Sequence, residues 1–457
     1  QVEAILEKAQ SEPLTPEETQ LLQEALLRSR QPWLEWSTKR EKSQFEVDPV
    51  ALHIHEKVSA RAILKASERV DLEEDLFSTQ RLDREQERQF YQHDVDWANR
   101  LILGDSLQVM TSLSRREGLA GKVQTIYIDP PYGIKFSSNW QNEVGKRDVK
   151  EKNEDLTREP EMIKAYRDTW TLGVHSYLDY LKQRLIASRE LLTDSGSVFV
   201  QISDENLHRV RAIMDEVLGA ENFNSTIGYR TTTGKASGKL DSTYDFIIWY
   251  SKSKEHAKFR SVYMERSPEG DSNLRSLLLA SGESITLSDP AELVRKSKSL
   301  QGKIFRLNPI TSQSGSTTTT FEFNYSGKKF KPNKGGWKTN IEGMNRLSKS
   351  NRLAFSGSTL GFNRFLNDFP VKPINNIWDD TRTSGFSDPK KYVVQTNTKV
   401  IEYCLLMTTD PGDLVLDPTS GSGTTAFVAE QWGRRWITID SSRVAVAIAR
   451  QRLLTAK

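Results

Sequence analysis

The sequence predicts an α/β protein with a doubly wound, mostly parallel sheet, preceded by a helical region and interrupted by a long insertion. From about residue 96, short apolar runs that end in turn residues alternate with helical segments. Such alternation is typical of a parallel sheet covered by helices. The pattern stops near residue 255 and resumes near residue 391. The chain therefore divides into regions 1–95, 96–254, 255–390 and 391–457.

The first region, residues 1–95, is predicted to be helical and to act as an interface or scaffold. It is rich in Glu, Gln, Leu, Lys and Arg. Thr15 is a candidate N-cap, Pro16 suits the first helical position, and acidic residues follow in the first turn. His53 and His55 would not converge on one face of a helix, and no third ligand accompanies them, so we predict no metal site.

The apolar runs and their flanking turn residues define the elements of the α/β domain. We expect strands at Arg100–Leu103, Val123–Ile128, Ser197–Ile202, Phe246–Tyr250, Leu414–Leu416 and Trp436–Ile439. We expect helices at Tyr177–Leu192, Glu205–Leu218, Thr398–Thr408, Gly423–Gln431 and Ser442–Leu454.

Charge and cysteine content narrow the functional class. The chain has 64 basic and 61 acidic residues, so a nucleic-acid surface would depend on local clusters of charge. The single cysteine, Cys404, excludes an intrachain disulfide and a cysteine-rich metal site, as expected in a reducing compartment. No apolar run approaches the length of a membrane span, and no signal peptide is evident. We therefore expect a cytoplasmic protein.

A nucleoside-binding half-site is predicted near the carboxyl end of the sequence. An apolar strand ends at Asp417, a turn with Gly421 and Gly423 follows, and Thr424 opens a helix. Glycines allow the backbone to approach a ligand closely, and the helix N-terminus points at it. The next strand ends in Asp440, where an acid can accept hydrogen bonds from a ribose diol. The loop lacks the lysine of a phosphate-binding loop and the third glycine of a dinucleotide site, so an adenosine cofactor without a long phosphate chain fits better.

A second signal is the turn Asp129-Pro130-Pro131-Tyr132 at the end of an apolar strand. The prolines fix the backbone and remove two N–H donors, which leaves hydrogen-bond acceptors and an aromatic ring. A carboxylate and a carbonyl can accept both protons of an exocyclic amine while the tyrosine stacks on the base. These are the requirements of amine methylation.

On these residues the chain resembles the amino-methyltransferases of DNA, in the class that places the catalytic motif before the cofactor motif. It is most similar to the modification subunits of type III restriction systems and to site-specific adenine methyltransferases. The resemblance covers about residues 98–455 and implies a seven-stranded Rossmann-like methyltransferase sheet. It implies S-adenosylmethionine as cofactor, and catalysis by the turn at Asp129, Pro130, Pro131 and Tyr132.

By position, the resemblance also assigns cofactor contacts. These fall on Asp105, Asp417, Thr419, Gly421, Gly423, Thr424 and Asp440. Two segments depart from the family pattern. Thr419-Ser420 replaces an aromatic and a small residue, and Gln395-Thr396-Asn397 stands where Gln-Lys-Pro is common.

The insertion, residues 255–390, is where family members carry target recognition. Basic residues alternate with aromatic ones in one part of it, and such residues can contact phosphates and stack on bases, although an ordinary solvated hairpin has the same composition. We predict DNA contacts from Lys328, Lys329, Lys331, Lys334, Trp337 and Lys338. The resemblance further implies double-stranded DNA as substrate, a homodimer, and association with a restriction or translocase subunit.

The function predicted from the sequence is methyl transfer to N6 of an adenine flipped out of the duplex, in a restriction-modification or other phage-defence system. Asp129 favours adenine, since many relatives that act on other amines have Ser or Asn there. Two alternatives remain: a cytosine-N4 methyltransferase, and a non-catalytic DNA-binding subunit that retains the fold.

Overall fold

The computed structural model describes residues 5, 13–16, 18–19, 34–36, 39, 47–55, 97–131, 174–231, 240, 242–271, 273–381 and 396–455. Most of the predicted helical region 1–95 thus lies outside the described residues. Within it, the Thr15 side chain accepts a hydrogen bond from the Glu18 N–H at 3.2 Å, and the Glu18 carboxylate accepts one from the Thr15 N–H at 2.9 Å. This reciprocal pair is a capping box, so Thr15 begins a helix as predicted.

The elements are numbered in chain order over the described residues. The helices are α1 (Ser106–Arg115), α2 (Val174–Leu191), α3 (Asp204–Leu218), α4 (Pro290–Ser299), α5 (Ile341–Lys349), α6 (Thr398–Thr408), α7 (Thr424–Gln431) and α8 (Arg443–Leu454). The strands are β1 (Arg100–Leu103), β2 (Val123–Ile128), β3 (Leu192–Ile202), β4 (Phe223–Arg230), β5 (Tyr244–Ser251), β6 (Tyr263–Glu265), β7 (Ser276–Leu278), β8 (Ser284–Thr286), β9 (Lys303–Pro309), β10 (Thr311–Ser312), β11 (Phe323–Tyr325), β12 (Lys328–Phe330), β13 (Gly336–Trp337), β14 (Leu353–Ser356), β15 (Thr359–Phe365), β16 (Val371–Pro373), β17 (Ile377–Trp378), β18 (Leu414–Asp417) and β19 (Arg435–Asp440).

Eight of these strands form one sheet in the order β1-β19-β18-β2-β3-β5-β4-β17. All neighbours pair in parallel except β5, which is antiparallel to both β3 and β4. β18 pairs with β2, and β19 pairs with β1, so strands from either side of the insertion lie side by side. The mostly parallel sheet is confirmed. The sheet has eight strands, so the expected count of seven is wrong. The additional strand is β17, a two-residue edge strand too short to appear as an apolar run.

The core lies where helices cover the centre of this sheet. All six residues of β2 are buried, as expected of a strand with neighbours and helices on both faces. Leu178, Leu181 and Leu185 on α2 recur at three-and-four spacing and are almost fully buried. Burying each such leucine contributes about 1.5–3 kcal/mol. The rigid core therefore holds the ends of the central strands in fixed positions.

A short part of region 1–95 also packs on this domain. Trp36 is only 5% exposed, and its indole N–H donates to Asp179 of α2 at 2.8 Å. The ammonium groups of Lys39 and Lys182 lie over the Trp36 ring, and both ammonium groups pair with Glu216 of α3. These contacts attach the segment around Trp36 to α2 and α3.

The chain divides into two compact units, of which the second is Ser261–Ile374. Its main sheet is antiparallel, with the order β14-β15-β9-β7-β8, and three two-stranded pairs accompany it. One of its hydrophobic clusters contains Phe323, Phe330, Trp337 and Met344. The unit thus has a core of its own and lies inside the range 255–390 where the sequence pattern is interrupted.

Among the helices of the described ranges, none has both the length and the apolar character that a membrane-spanning segment requires.

Candidate active site

Three carboxylates lie at the carboxyl edge of the eight-stranded sheet. Asp129 follows β2, Asp417 ends β18, and Asp440 ends β19. β18 lies between β2 and β19, and all three run in parallel, so their carboxyl ends meet at one edge. In open α/β sheets this edge is where ligands bind.

Thr419 joins the turn at Asp129 to the loop after β18. Its hydroxyl oxygen accepts a hydrogen bond from the Asp129 backbone N–H at 2.8 Å. The same hydroxyl lies 3.3 Å from Asp417 Oδ1, to which the Thr419 N–H donates at 2.9 Å. The predicted catalytic turn and the predicted cofactor loop are therefore connected through one side chain.

A second threonine contacts the side chain of Asp129. The Thr396 hydroxyl lies 3.2 Å from Asp129 Oδ2 and 3.1 Å from Gln201 Oε1. Gln201 Oε1 in turn accepts a hydrogen bond from the Tyr127 hydroxyl at 2.5 Å. Tyr127 and Gln201 are buried on adjacent strands, β2 and β3. Asp129 is thus held at its backbone by one threonine and at its carboxyl group by another.

Burial dominates the electrostatics of the three carboxyl groups. Loss of solvation raises the pKa of Asp129 to about 8, with the nearby Asp417 as the next cause. Burial also raises the pKa of Asp417 and of Asp440, each to about 6. Hydrogen bonds to the carboxylates of Asp417 and Asp440 act in the opposite direction and limit the rise. Perturbed acids gathered at one edge of a sheet are characteristic of a functional site.

The loop between β18 and α7 has the close-packed geometry that its glycines predict. Gly421 and Gly423 have φ of 51° and 73°, in the left-handed region. A Cβ on Gly423 would lie 2.8 Å from the Ala449 Cβ, so a side chain does not fit there. The Asp440 carboxylate accepts from the Gly421 N–H and from the Ser442 N–H, both at 2.8 Å. Asp440 therefore shapes the loop as well as ending its strand.

The other residues predicted to contact the cofactor have structural partners of their own. Asp105 caps α1 by accepting from the Leu107 and Gln108 N–H groups, and Arg184 pairs with its second oxygen at 2.8 Å. The Thr424 hydroxyl is buried and accepts from Arg452 at 2.8 Å. Contact of Asp105 and Thr424 with a cofactor stays a prediction, since both side chains already stabilise the fold.

The catalytic turn is described as far as its second proline. Pro130 is buried and Pro131 is half-buried, as expected for a rigid turn. Tyr132, the predicted stacking residue, lies outside the described residues.

The lysines predicted to contact DNA lie on the second unit. Lys328 and Lys329 are on β12, Lys331, Lys334 and Lys338 follow it, and all five are exposed. We call these five residues the lysine hairpin. No acidic residue occurs between Glu322 and Glu342.

The prediction for Trp337 needs correction. Its side chain is only 3% exposed and packs in the cluster with Phe330 and Met344. Its indole N–H donates to the Phe321 carbonyl at 2.9 Å. Trp337 therefore has no free face for a base to stack on, and it supports the hairpin from within.

The sequence predictions missed the side chains that surround Asp129. Thr396 and Gln201 come from distant positions. Gln201 belongs to no motif, and Thr396 lies in the segment that departs from the Gln-Lys-Pro pattern, for which no contact with Asp129 was predicted. Asp245 on β5 raises the pKa of Asp129 further, and burial raises its own pKa to about 6. A polar residue at the carboxyl end of a predicted strand was the available signal for Gln201. In the described part of the chain, no group of three or more His, Cys, Asp or Glu residues could hold a metal ion.

The fold and site define an α/β domain in which the predicted catalytic turn and the predicted cofactor loop are adjacent on one sheet edge. Residues 123–451 match the DNA methylase family, N6_N4_Mtase, and the chain belongs to this family. The resemblance stated from the motifs is confirmed.

Individual relatives agree with this membership. The probable type III restriction-modification enzyme HindVI Mod subunit of Haemophilus influenzae is 27% identical over 412 residues, which are 78% of this chain and 50% of that protein. The type II methyltransferase M.EcaI of Enterobacter cloacae is 26% identical, over 72% of this chain and 64% of that protein. This chain thus spans about half to two thirds of the length of these relatives.

Among solved structures, the complex of M1.HpyAVI with SAM is similar over 78% of this chain and 98% of that chain. Its sequence identity is 13% and its TM-score is 0.35, which is too low to support the fold by itself.

Proposed function

We propose that this chain is an S-adenosylmethionine-dependent DNA methyltransferase that methylates N6 of adenine. One observation carries the proposal. The half-buried residue Asp129 donates its backbone N–H to Thr419, which also contacts Asp417 at the start of a glycine loop with cofactor-loop geometry, on the edge of the sheet where ligands bind. A hydrogen-bond acceptor for an amine and a site for a nucleoside cofactor are therefore neighbours.

The residues of the loop fit an adenosine cofactor. Gly421 and Gly423 bring backbone close to the edge, and Asp440 is only partly exposed but retains lone pairs beyond its two backbone partners. The Ser420 hydroxyl is buried and has no hydrogen-bond partner among the described residues. A bound ligand would supply such a partner. S-adenosylmethionine, when bound, supplies the electrophilic methyl group. Asp417, Thr419 and Asp440 would hold the cofactor. Asp105 and Thr424 are further predicted contacts.

Asp129 and the Pro130 carbonyl orient the target amine in this proposal. Each accepts one N–H of the amine, which favours localisation of the nitrogen lone pair toward the methyl group. Tyr132 stacks on the flipped base. The amine nitrogen would take the methyl group as the S–CH₃ bond of the cofactor breaks, which leaves S-adenosylhomocysteine. The proton that the nitrogen loses would pass to the Asp129 carboxylate that already accepts this N–H, and no covalent enzyme intermediate forms. Cys404 is consistent with this scheme, since it is fully buried and burial raises its pKa well above the ordinary value.

DNA is the proposed substrate, and the lysine hairpin is the proposed phosphate-contacting surface. The relatives named as type III enzymes are Mod subunits, which supports the further proposal of association with a restriction or translocase subunit. A homodimer is proposed from the family resemblance alone. We propose a role in a restriction-modification or other phage-defence system, and the names of these relatives support the first of the two.

The experiment is transfer of tritiated methyl groups from S-adenosylmethionine to duplex DNA, followed by chromatography of the nucleosides. We expect label in N6-methyladenine. Label in N4-methylcytosine, or in RNA alone, would refute the proposed target while retaining the enzyme class. No label with either substrate, together with binding of DNA, would favour the non-catalytic subunit.

A further inference from the structure

The hydroxyl group of Thr396 has two competing acceptors. Asp129 Oδ2 lies at 3.2 Å and Gln201 Oε1 at 3.1 Å. A hydroxyl group carries one proton, so it donates to only one of the two at any moment. Its oxygen can still accept a hydrogen bond from another donor. The charge of the Asp129 carboxyl group therefore decides which way the hydroxyl points.

All the atoms of this arrangement are held in place by the fold. Gln201 is 3% exposed, and its Oε1 accepts from the buried Tyr127 hydroxyl, which fixes that oxygen as the acceptor. Thr396 directly precedes Asn397, the N-cap of α6, whose Nδ2 donates to the Thr381 carbonyl at 2.7 Å. The three groups can therefore change hydrogen-bond direction without a change of backbone.

We propose that Thr396 is a positioning residue whose hydroxyl donates to Asp129 when that carboxyl group is ionised and to Gln201 when it is protonated. This inference rests on the proposed methyltransferase function. Ionised Asp129 accepts from the target amine, and the bond from Thr396 stabilises and orients that acceptor. Protonated Asp129 instead donates to Thr396 Oγ1, and the Thr396 hydroxyl then turns to Gln201.

The surroundings of Asp129 disfavour its ionised form, so a hydrogen bond from the Thr396 hydroxyl affects its charge. Burial raises the pKa of Asp129 to about 8, and the negative charge of Asp417 raises it too. The hydrogen bond from Thr396 lowers it, and Asp245 raises it. Tyr177 on α2 also faces the carboxyl group, and burial raises the pKa of this tyrosine. Thr396 is therefore the hydrogen-bond donor that opposes burial and two like charges at this acid.

The test is the pH dependence of kcat for methyl transfer in three variants. Thr396→Val keeps the shape but removes the donor, so the acid limb of the profile should move up by about one pH unit. Thr396→Ser keeps a hydroxyl and should restore the wild-type limb. Gln201→Leu removes the competing acceptor and should move the limb to lower pH. The matched control is Thr455→Val, at the end of α8, where the hydroxyl bonds only its own helix.

Two measurements separate the outcomes. Affinity for S-adenosylmethionine, measured by calorimetry, should be unchanged in Thr396→Val, which also shows that the variant is folded. A wild-type protein that transfers no methyl group to DNA would defeat the proposed function itself. An active wild type with a Thr396→Val variant that loses activity equally at every pH would leave the function intact and overturn the positioning role. If Thr396→Val does not fold, limbs that coincide in Gln201→Leu and wild type would overturn it.

Discussion

The carboxyl edge of the sheet and the lysine hairpin use charged residues in opposite settings. At the edge, Asp129, Asp417 and Asp440 are desolvated, their pKa values are raised, and each has specific neighbours at hydrogen-bond distance. On the hairpin, five lysines lie exposed on a small packed cluster. Buried groups act individually through short-range geometry, whereas exposed charges act as a sum and are screened by salt. The two regions should therefore respond differently to the same kind of substitution.

The largest effect should come from Asp129→Ala. We expect kcat for methyl transfer to fall by about 10²–10³-fold, because an acceptor aimed at the reacting amine is lost. Binding of S-adenosylmethionine should survive, since Thr419 contacts the backbone of residue 129 and not its side chain. Single-turnover kinetics and calorimetry measure the two quantities. Asp194→Ala is the control, because that side chain is 85% exposed at the start of β3. Full activity of Asp129→Ala would remove the distinction between the regions.

The next effect should come from Asp440→Asn. The carboxylate accepts from two backbone N–H groups, and an amide can accept from only one of them. Hydrogen bonds to charged groups are worth about 1.5–3 kcal/mol, so affinity for S-adenosylmethionine should fall by about 10–100-fold. Calorimetry checks this, with Asp194→Asn as control. An unchanged Kd would mean that the loop keeps its shape without Asp440 and that Asp440 does not contact the cofactor.

The lysine hairpin should give a smaller and graded effect. Lys328→Ala with Lys329→Ala should weaken DNA binding by about tenfold and reduce the slope of log K against log salt by about two. Turnover at saturating DNA should not change. The control is Arg295→Ala with Lys298→Ala, two exposed positions on α4. Equal losses in both pairs would mean that the hairpin is no more than part of a diffuse basic surface.

The same contrast explains what could be predicted from the sequence. β1, β2 and α6 have the predicted bounds, because continuous apolar runs and sharp turn signals determine them locally. β4 escaped prediction because Asn224, Ser225 and Gly228 interrupt its apolar pattern. Helix α1 escaped because its Thr111 and Ser112 are buried and bond backbone carbonyls of their own helix.

The candidate site likewise has residues that could be predicted from the sequence and residues that could not. The turn at Asp129 is one continuous run of residues, and so is the loop at Asp417. The chemistry of each could therefore be inferred from its residue types alone. Thr396 and Gln201 reach Asp129 only through the pairing of distant strands and the placement of α6. Trp337 failed for a different reason, because an aromatic residue among lysines has the same sequence pattern whether it stacks on a base or fills a core.

The last effect is on stability and not on activity, and it follows from the upward direction of the Asp129 pKa shift. In the unfolded chain this carboxyl group ionises near pH 3.8, but in the folded protein it does so only near pH 8. Between these values the unfolded state releases a proton that the folded state retains, so the wild type loses stability as pH rises and levels off above about 8. Asp129→Asn removes the carboxyl group that causes this loss of stability, and it keeps an acceptor for Thr396. Its Tm should match the wild type near pH 4 and exceed it increasingly up to pH 8. Asp194→Asn is the control, at a carboxylate that is exposed. Parallel Tm curves for Asp129→Asn and wild type would mean that Asp129 is solvated in the folded protein, and the contrast between a desolvated edge and an exposed hairpin would then fail at its central residue.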